Sequence, residues 1–335
     1  MAPFLFSAIG ILLARLSIPS GKLSGGTVNA RKPRYATPNR QRGNAMDKGF
    51  QLGELTIQRV VEEERPIFDP LTFFPTLTPE VLAENRDWLE PKALDPATGK
   101  LMLCIQSWVV RTPHHNILID TCVGNDKNRP SHPFWHQMKS DAYMRNLAAL
   151  GLGVGDIDFV MCTHLHVDHV GWNTRLDNGR WVPSFSKARY LFAKEEYAHW
   201  EREHAKSPSP VFADSVLPVV EAGRVDFVQN DYQMNDLVKL ESTPGHTPDH
   251  VAVRLGRKGA DALATGDLIH SPLQARYPEI SMRADVDPVQ AAATRRRVLE
   301  CACDTPTILC FGHFPSPSTG RIKRWGNGFR AEAVD

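Results

Sequence analysis

Six cysteines in 335 residues are too few to staple a chain of this length, and none of Cys104, Cys122, Cys162, Cys301, Cys303 and Cys310 stands in a CxxC pair. A disulfide framework and a thiolate zinc site are therefore excluded as organising principles, and a reducing, cytoplasmic location is the expectation. Net charge is nearly absent, +1 overall, which removes the electrostatic basis for a nucleic-acid partner. No apolar run reaches the ~20 residues that cross a bilayer as a helix, so no membrane span is expected. The chain also lacks a repeat and a G-x-S-x-G nucleophile elbow. What is present is 42% hydrophobic residues with 23% charged, enough for a sizeable core in one domain or at most two.

The small net charge hides an asymmetry. Residues 1–45 hold Arg15, Lys22, Arg31, Lys32, Arg34, Arg40 and Arg42 and no acidic residue, the first carboxylate being Asp47. This segment reads as a basic, disordered extension, leaving 46–335 as the folded domain. Its apolar run from Pro3 to Ala14 has the length of a signal core but no preceding basic residue. A transit or weak signal segment thus stands beside a plain upstream extension as a reading of it.

Alternation predicts strands over Glu54–Val61, Leu101–Thr112 and Asn116–Thr121, the last two joined by a Pro-His-His turn. Between the first two, Phe68–Glu80 carries three prolines and is expected to be an irregular strap, with a place over the site or in a subunit contact left open. Thereafter strand and helix alternate. A helix over Ser140–Leu152 precedes a strand over Asp158–Cys162, and Ala188–Ala193 precedes another helix. Leu237–Ser242, His250–Leu255 and Ala260–Thr265 read as strands, and Pro288–Cys303 as a helix before a last strand, Thr307–Phe311. The pattern implies a layered α/β domain with functional residues in strand-end loops.

One such loop is exceptional. Met161–Trp172 reads MCTHLHVDHVGW and places His164, His166, Asp168 and His169 within six positions directly after an apolar strand. Imidazole nitrogen and carboxylate oxygen together suit a borderline divalent cation: zinc, with manganese or iron as alternatives. His246, Asp267 and His313 stand in comparable settings, each beside a glycine after a strand.

The string His-x-His-x-Asp-His followed by His, Asp and His resembles the metallo-β-lactamase fold superfamily over nearly all of residues 50–330. Within it, TPGHTPDHVAVRL and the tail after His313 are similar to the methyl parathion hydrolase and N-acyl-homoserine lactonase branch. The resemblance implies a four-layer αββα sandwich. It also implies two divalent metal ions, one held by His164, His166 and His246, the other by Asp168, His169 and His313, with Asp267 bridging both. The activity implied is hydrolysis of a lactone or ester of a small molecule by a metal-bridging hydroxide, with Asp168 or Asp267 handling the proton. Phosphotriester or β-lactam hydrolysis stays open on the same site, as does an iron-dependent redox protein or sulfur dioxygenase. Whether the chain works alone or as a homodimer also stays open.

Outside this set, Asp120 is either an acid that orients a ligand histidine, as the resemblance implies, or a turn former. Trp108, Phe134, Trp135, Trp172 and Trp181 are candidates for an apolar pocket, Trp172 foremost because it follows the ligand loop. The other eight histidines, His132, His250 and His270 among them, receive no role. Cys162, at the end of an apolar strand, is expected to be buried and not a nucleophile.

Overall fold

Period-two alternation along the strands decides which side chains meet between two sheets and which face the helices. In the computed structural model, which describes residues 49–257 and 261–334, this yields two seven-stranded sheets. The extension expected over residues 1–45 lies outside the described residues. Those described fall within one compact unit, 45–335.

The first sheet begins with β1 (Phe50–Leu52), β2 (Leu55–Phe68), β3 (Leu101–Arg111), β4 (Asn116–Ile119) and β5 (Phe159–Met161). A separate hairpin, β6 (Thr174–Asp177) and β7 (Arg180–Pro183), follows, and β8 (Arg189–Ala193) and β9 (Val225–Val228) complete the sheet. The second sheet runs in chain order through β10 (Gln233–Asn235), β11 (Val238–Ser242), β12 (Val251–Leu255), β13 (Ala262–Ala264), β14 (Ile308–Cys310), β15 (Thr319–Trp325) and β16 (Gly328–Ala333). Its strands are antiparallel except for β13 and β14.

Ile117 and Ile119 of β4, Leu191 of β8, Val251 and Val253 of β12 and Ile308 of β14 meet in one buried cluster between the sheets. Their neighbours point outward: Leu118, Tyr190 and Phe192 pack with Tyr143 and Leu147 of helix 142–149, and Leu309 packs with Leu299 of helix 288–302. The result is the four-layer αββα sandwich. No helix among the described residues is long and apolar enough to cross a membrane.

Two elements depart from the sequence reading. The first strand does not stop near Val61; β2 continues to Phe68 through two register shifts against β3. Pro66 is tolerated because β1 pairs with Leu55–Ile57 alone, so that among the described residues this part of β2 is an edge where a missing N–H breaks no ladder. The expected irregular strap is instead partly helical, with α1 (Pro70–Phe73) capped by Asp69 and α2 (Pro79–Leu89) capped by Thr78. Two of its prolines open these helices, where their missing N–H costs no hydrogen bond.

The first shift in β2 turns Glu62 inward. Its carboxyl accepts the backbone N–H of Val123 at 2.8 Å and the indole N–H of Trp172 at 2.6 Å. Burial pushes this carboxyl up from its ordinary 4.5 to about 7, only partly offset by those donors. The folded chain therefore holds this proton more tightly than the unfolded chain does. The stability it contributes is complete below pH 4.5 and is lost as pH rises through about 7. In urea unfolding, Glu62→Gln should gain on the wild type by on the order of 3 kcal/mol across that window; parallel pH profiles would contradict the assignment.

Candidate active site

Each candidate ligand sits where a strand has just ended. The loop after β5 carries His164, His166, Asp168 and His169, the turn between β11 and β12 carries His246, and Asp267 and His313 follow β13 and β14. The β5 loop is pinned from β4, whose following residue Asp120 adopts φ +60°. Asp120 Oδ1 accepts the Thr163 backbone N–H at 2.8 Å. Gly266 is required by space as well as by its φ of +50°, since a Cβ there would meet His250 Nε2 at 2.7 Å and Thr163 Cβ at 2.8 Å.

All seven side chains converge. Asp267 lies at the centre, with Oδ1 3.1 Å from His169 Nε2 and 2.9 Å from His313 Nε2. Its Oδ2 lies 3.2 Å from His246 Nε2 and 3.6 Å from His164 Nε2. His166 Nδ1 is 2.9 Å from His246 Nε2, and His169 Nε2 is 3.2 Å from His313 Nε2. Asp168 stands 3.7 Å from His313 and 3.8 Å from His169. Two groups result: His164, His166, His246 and Asp267, and Asp168, His169 and His313, each with donor atoms within 4.8 Å of one another.

The donor set fits divalent cations. Two ligand atoms ~2.1 Å from a tetrahedral ion stand about 3.4 Å apart, the separation these atoms approach. His164 Nε2 is buried without a hydrogen-bond partner, its nearest acceptor being Asp267 Oδ2 at 3.6 Å, a costly state for a buried imidazole nitrogen. The imidazoles are also turned correctly. His313 Nδ1 lies 3.0 Å from the Cys104 carbonyl, which can only accept, so Nδ1 carries a proton and Nε2 is the nitrogen turned inward. His169 Nδ1–H points to Asp120 at 2.9 Å and His246 Nδ1–H to Asp285 at 2.8 Å. Thus Asp120 contacts a candidate ligand directly.

Protonation follows from burial set against charge. Burial holds His164 and His166 well below the ordinary imidazole value. For His246 burial acts the same way, but Asp267 and Asp285 outweigh it and raise the group to about 9. His169 and His313 are likewise raised against their burial by Asp267. The buried carboxylate thus draws positive charge into the cluster.

Three residues that the sequence reading passed over belong here. His270 Nε2 lies 3.1 Å from Asp267 Oδ2. His250 Nε2 accepts the Asp267 backbone N–H at 3.0 Å, and Asp285 holds His246. The only signal was proximity to a candidate ligand, His250 four residues after His246 and His270 three after Asp267.

A cavity of about 360 Å³ opens onto the cluster, with His166, Asp168, Asp267 and His313 on one side and Phe68, Phe73, Leu103, Trp135 and Phe212 among its apolar walls. His132 and Arg283 also line it. Part of the strap thus walls the site. Trp172 does not: it is 6% exposed, stacks on Tyr143 at 5.4 Å and is fixed by Glu62. Its place after the candidate ligand loop carried it into the core, and the indoles that reach the cavity are Trp135 and Trp200, the latter outside the sequence candidates. Burial holds the Cys162 thiol well above its ordinary value, so it is no ready nucleophile.

An αββα sandwich with a His/Asp cluster at its strand ends defines a class of metal-site protein. Residues 105–313 match the family model of the metallo-beta-lactamase superfamily, and the chain belongs to that family. It is 23% identical to an N-acyl homoserine lactonase of Bacillus thuringiensis over 176 residues, 52% of this chain and 63% of that protein. A Bacillus cereus N-acyl homoserine lactonase is 24% identical over 178 residues. The chain therefore spans less than two thirds of the length of these curated relatives. The structure of AidC, a dizinc quorum-quenching lactonase in complex with a product, superposes with a TM-score of 0.72 at 20% identity, covering 86% of this chain and 97% of that one. The hydrolase AbOPH of the beta lactamase superfamily gives 0.71 at 22% identity, covering 85% and 96%. At these identities the likeness is one of fold.

Proposed function

We propose that the chain, over residues 46–335, is a metal-dependent hydrolase that opens a lactone or ester of a small molecule with an apolar acyl part. His164, His166 and His246 would hold one divalent cation and Asp168, His169 and His313 a second, with Asp267 shared; zinc is the proposed metal, manganese and iron the alternatives. When bound, such a pair lowers the pKa of water and polarises the oxygen of the attacked group. The chain's own residues do the rest. Asp120, Asp285 and the Cys104 carbonyl fix three imidazoles by their Nδ1 atoms. Asp168, facing the cavity, is placed to hold a proton beside the reacting group. Phe68, Phe73 and Trp135 offer an apolar wall to the acyl part and keep bulk water from it.

The observation that carries this reading is the convergence of seven donor side chains around the buried Asp267 carboxylate beside an apolar cavity, with His164 Nε2 buried and without a hydrogen-bond partner. The names of the matched relatives support the lactone over the phosphotriester or β-lactam. Rates on an acyl-homoserine lactone, an aryl ester, an aryl phosphotriester and a β-lactam test the order, with the lactone expected first. Oxygen uptake on thiols by protein purified with iron would favour the redox alternative. Phe73→Ala should raise KM for a decanoyl substrate by about tenfold while changing that of an acetyl substrate little. Equal effects on both would remove Phe73 from the acyl wall.

A further inference from the structure

Asp285 lies outside the sequence motif and does not line the cavity, yet its side chain is wholly buried. Its two oxygens have different partners. Oδ1 accepts His246 Nδ1–H at 2.8 Å, while Oδ2 accepts the backbone N–H of Met282 at 2.8 Å, and Met282 lines the cavity. Arg295 stands 3.8 Å from the same Oδ2. Fully buried on helix 288–302, it donates to the carbonyls of Leu268, Pro278 and Ile280 at 2.7 to 2.8 Å. One guanidinium thereby ties the turn that carries Asp267 to the segment that leads to Met282.

The backbone of this segment repeats the connection. Val286 N–H donates to the His246 carbonyl at 3.0 Å and Asp287 N–H to that of Gly245 at 2.9 Å. In the other direction Arg283 N–H donates to the Phe73 carbonyl at 3.0 Å, and Ser281 N–H to Thr76 Oγ1 at 3.0 Å. Residues 281–287 therefore form a continuous hydrogen-bonded strip from the candidate ligand His246 to the strap that walls the cavity.

We propose that Asp285 is a positioning residue that couples the ion site of His164, His166 and His246 to the wall that receives the substrate's apolar part. The proposal rests on the metal-dependent reading given above. Asparagine cannot replace it: one amide end accepts and the other donates, so either His246 Nδ1–H or Met282 N–H loses its acceptor. If the donor end faces His246, the imidazole must carry its proton on Nε2, where the cation would bind.

The test compares the full chain with Asp285→Asn and Asp120→Asn, each loaded with zinc. Chelator competition should show the affinity of one of two ions reduced about 10- to 100-fold in Asp285→Asn. The same variant should lose several-fold in the KM preference for a decanoyl over an acetyl substrate. Asp120→Asn, acting through His169, should weaken an ion and leave that preference intact. Wild-type zinc affinity in Asp285→Asn, or weakened zinc with unchanged acyl preference, overturns the proposal. Should Asp285→Asn not fold, the wild type decides: coupling is reciprocal, so saturating decanamide must shift the affinity of one zinc ion, and no shift overturns the proposal. A wild type that binds no zinc and hydrolyses nothing would instead sink the metal-dependent reading itself.

Discussion

Replacing Asp267 with asparagine is expected to lower kcat/KM by about 10³-fold or more, and to lower bound metal with it. The carboxylate has one oxygen toward each half of the cluster, Oδ2 toward His164 and His246 and Oδ1 toward His169 and His313. It is also the anion that raises His169 and His313 against their burial. An amide keeps the shape but not the charge, and its NH2 would face imidazole nitrogens that the site needs as acceptors. Cation assistance is worth several kcal/mol to a hydrolytic transition state, and each 1.36 kcal/mol is a factor of ten in rate. Steady-state kinetics with elemental analysis of the same preparation measures both quantities. Full activity in a variant depleted of metal would refute the mechanism, and His166→Ala applies the same criterion from the opposite side of the cluster.

Removing the metal should act on the fold as well as on the rate. Binding only the native state adds about 4 kcal/mol at a ligand concentration 1,000 times Kd, and one kcal/mol moves the melting point of a domain this large by roughly 2–4 °C. In the stripped protein the buried His164 Nε2 also keeps its desolvation cost. Treatment with a strong chelator is expected to abolish hydrolysis and lower the melting temperature by on the order of 10 °C, with both restored by added zinc. Calorimetry with and without chelator reads the second effect. A melting curve indifferent to chelation and zinc, with activity intact, would contradict a resident metal.

The sequence displayed the candidate ligand loops because their chemistry is local: three imidazoles and a carboxylate within six residues after an apolar strand have few other uses. The layered core was equally readable, since Ile117, Ile119, Val251 and Val253 alternate as half-buried strands must. What escaped was set by contacts across the chain. Asp285 and His270 belong to common residue types in unremarked positions, and only the fold brings them to His246 and Asp267. Trp172 was misplaced because sequence adjacency to a ligand does not fix the face on which a side chain emerges; Glu62 draws it into the core. The hairpin of β15 and β16 was passed over because charged residues interrupt its apolar pattern, with Ile322 and Phe329 supplying its fully buried apolar contacts.

Anomalous diffraction at the zinc edge, from crystals of the zinc-loaded chain, asks the central question without reference to turnover. Two peaks are expected, one among His164, His166, His246 and Asp267 and the other among Asp168, His169, His313 and Asp267. No peak within that cluster, in protein that carries zinc by elemental analysis, would show that these seven side chains do not hold the ions.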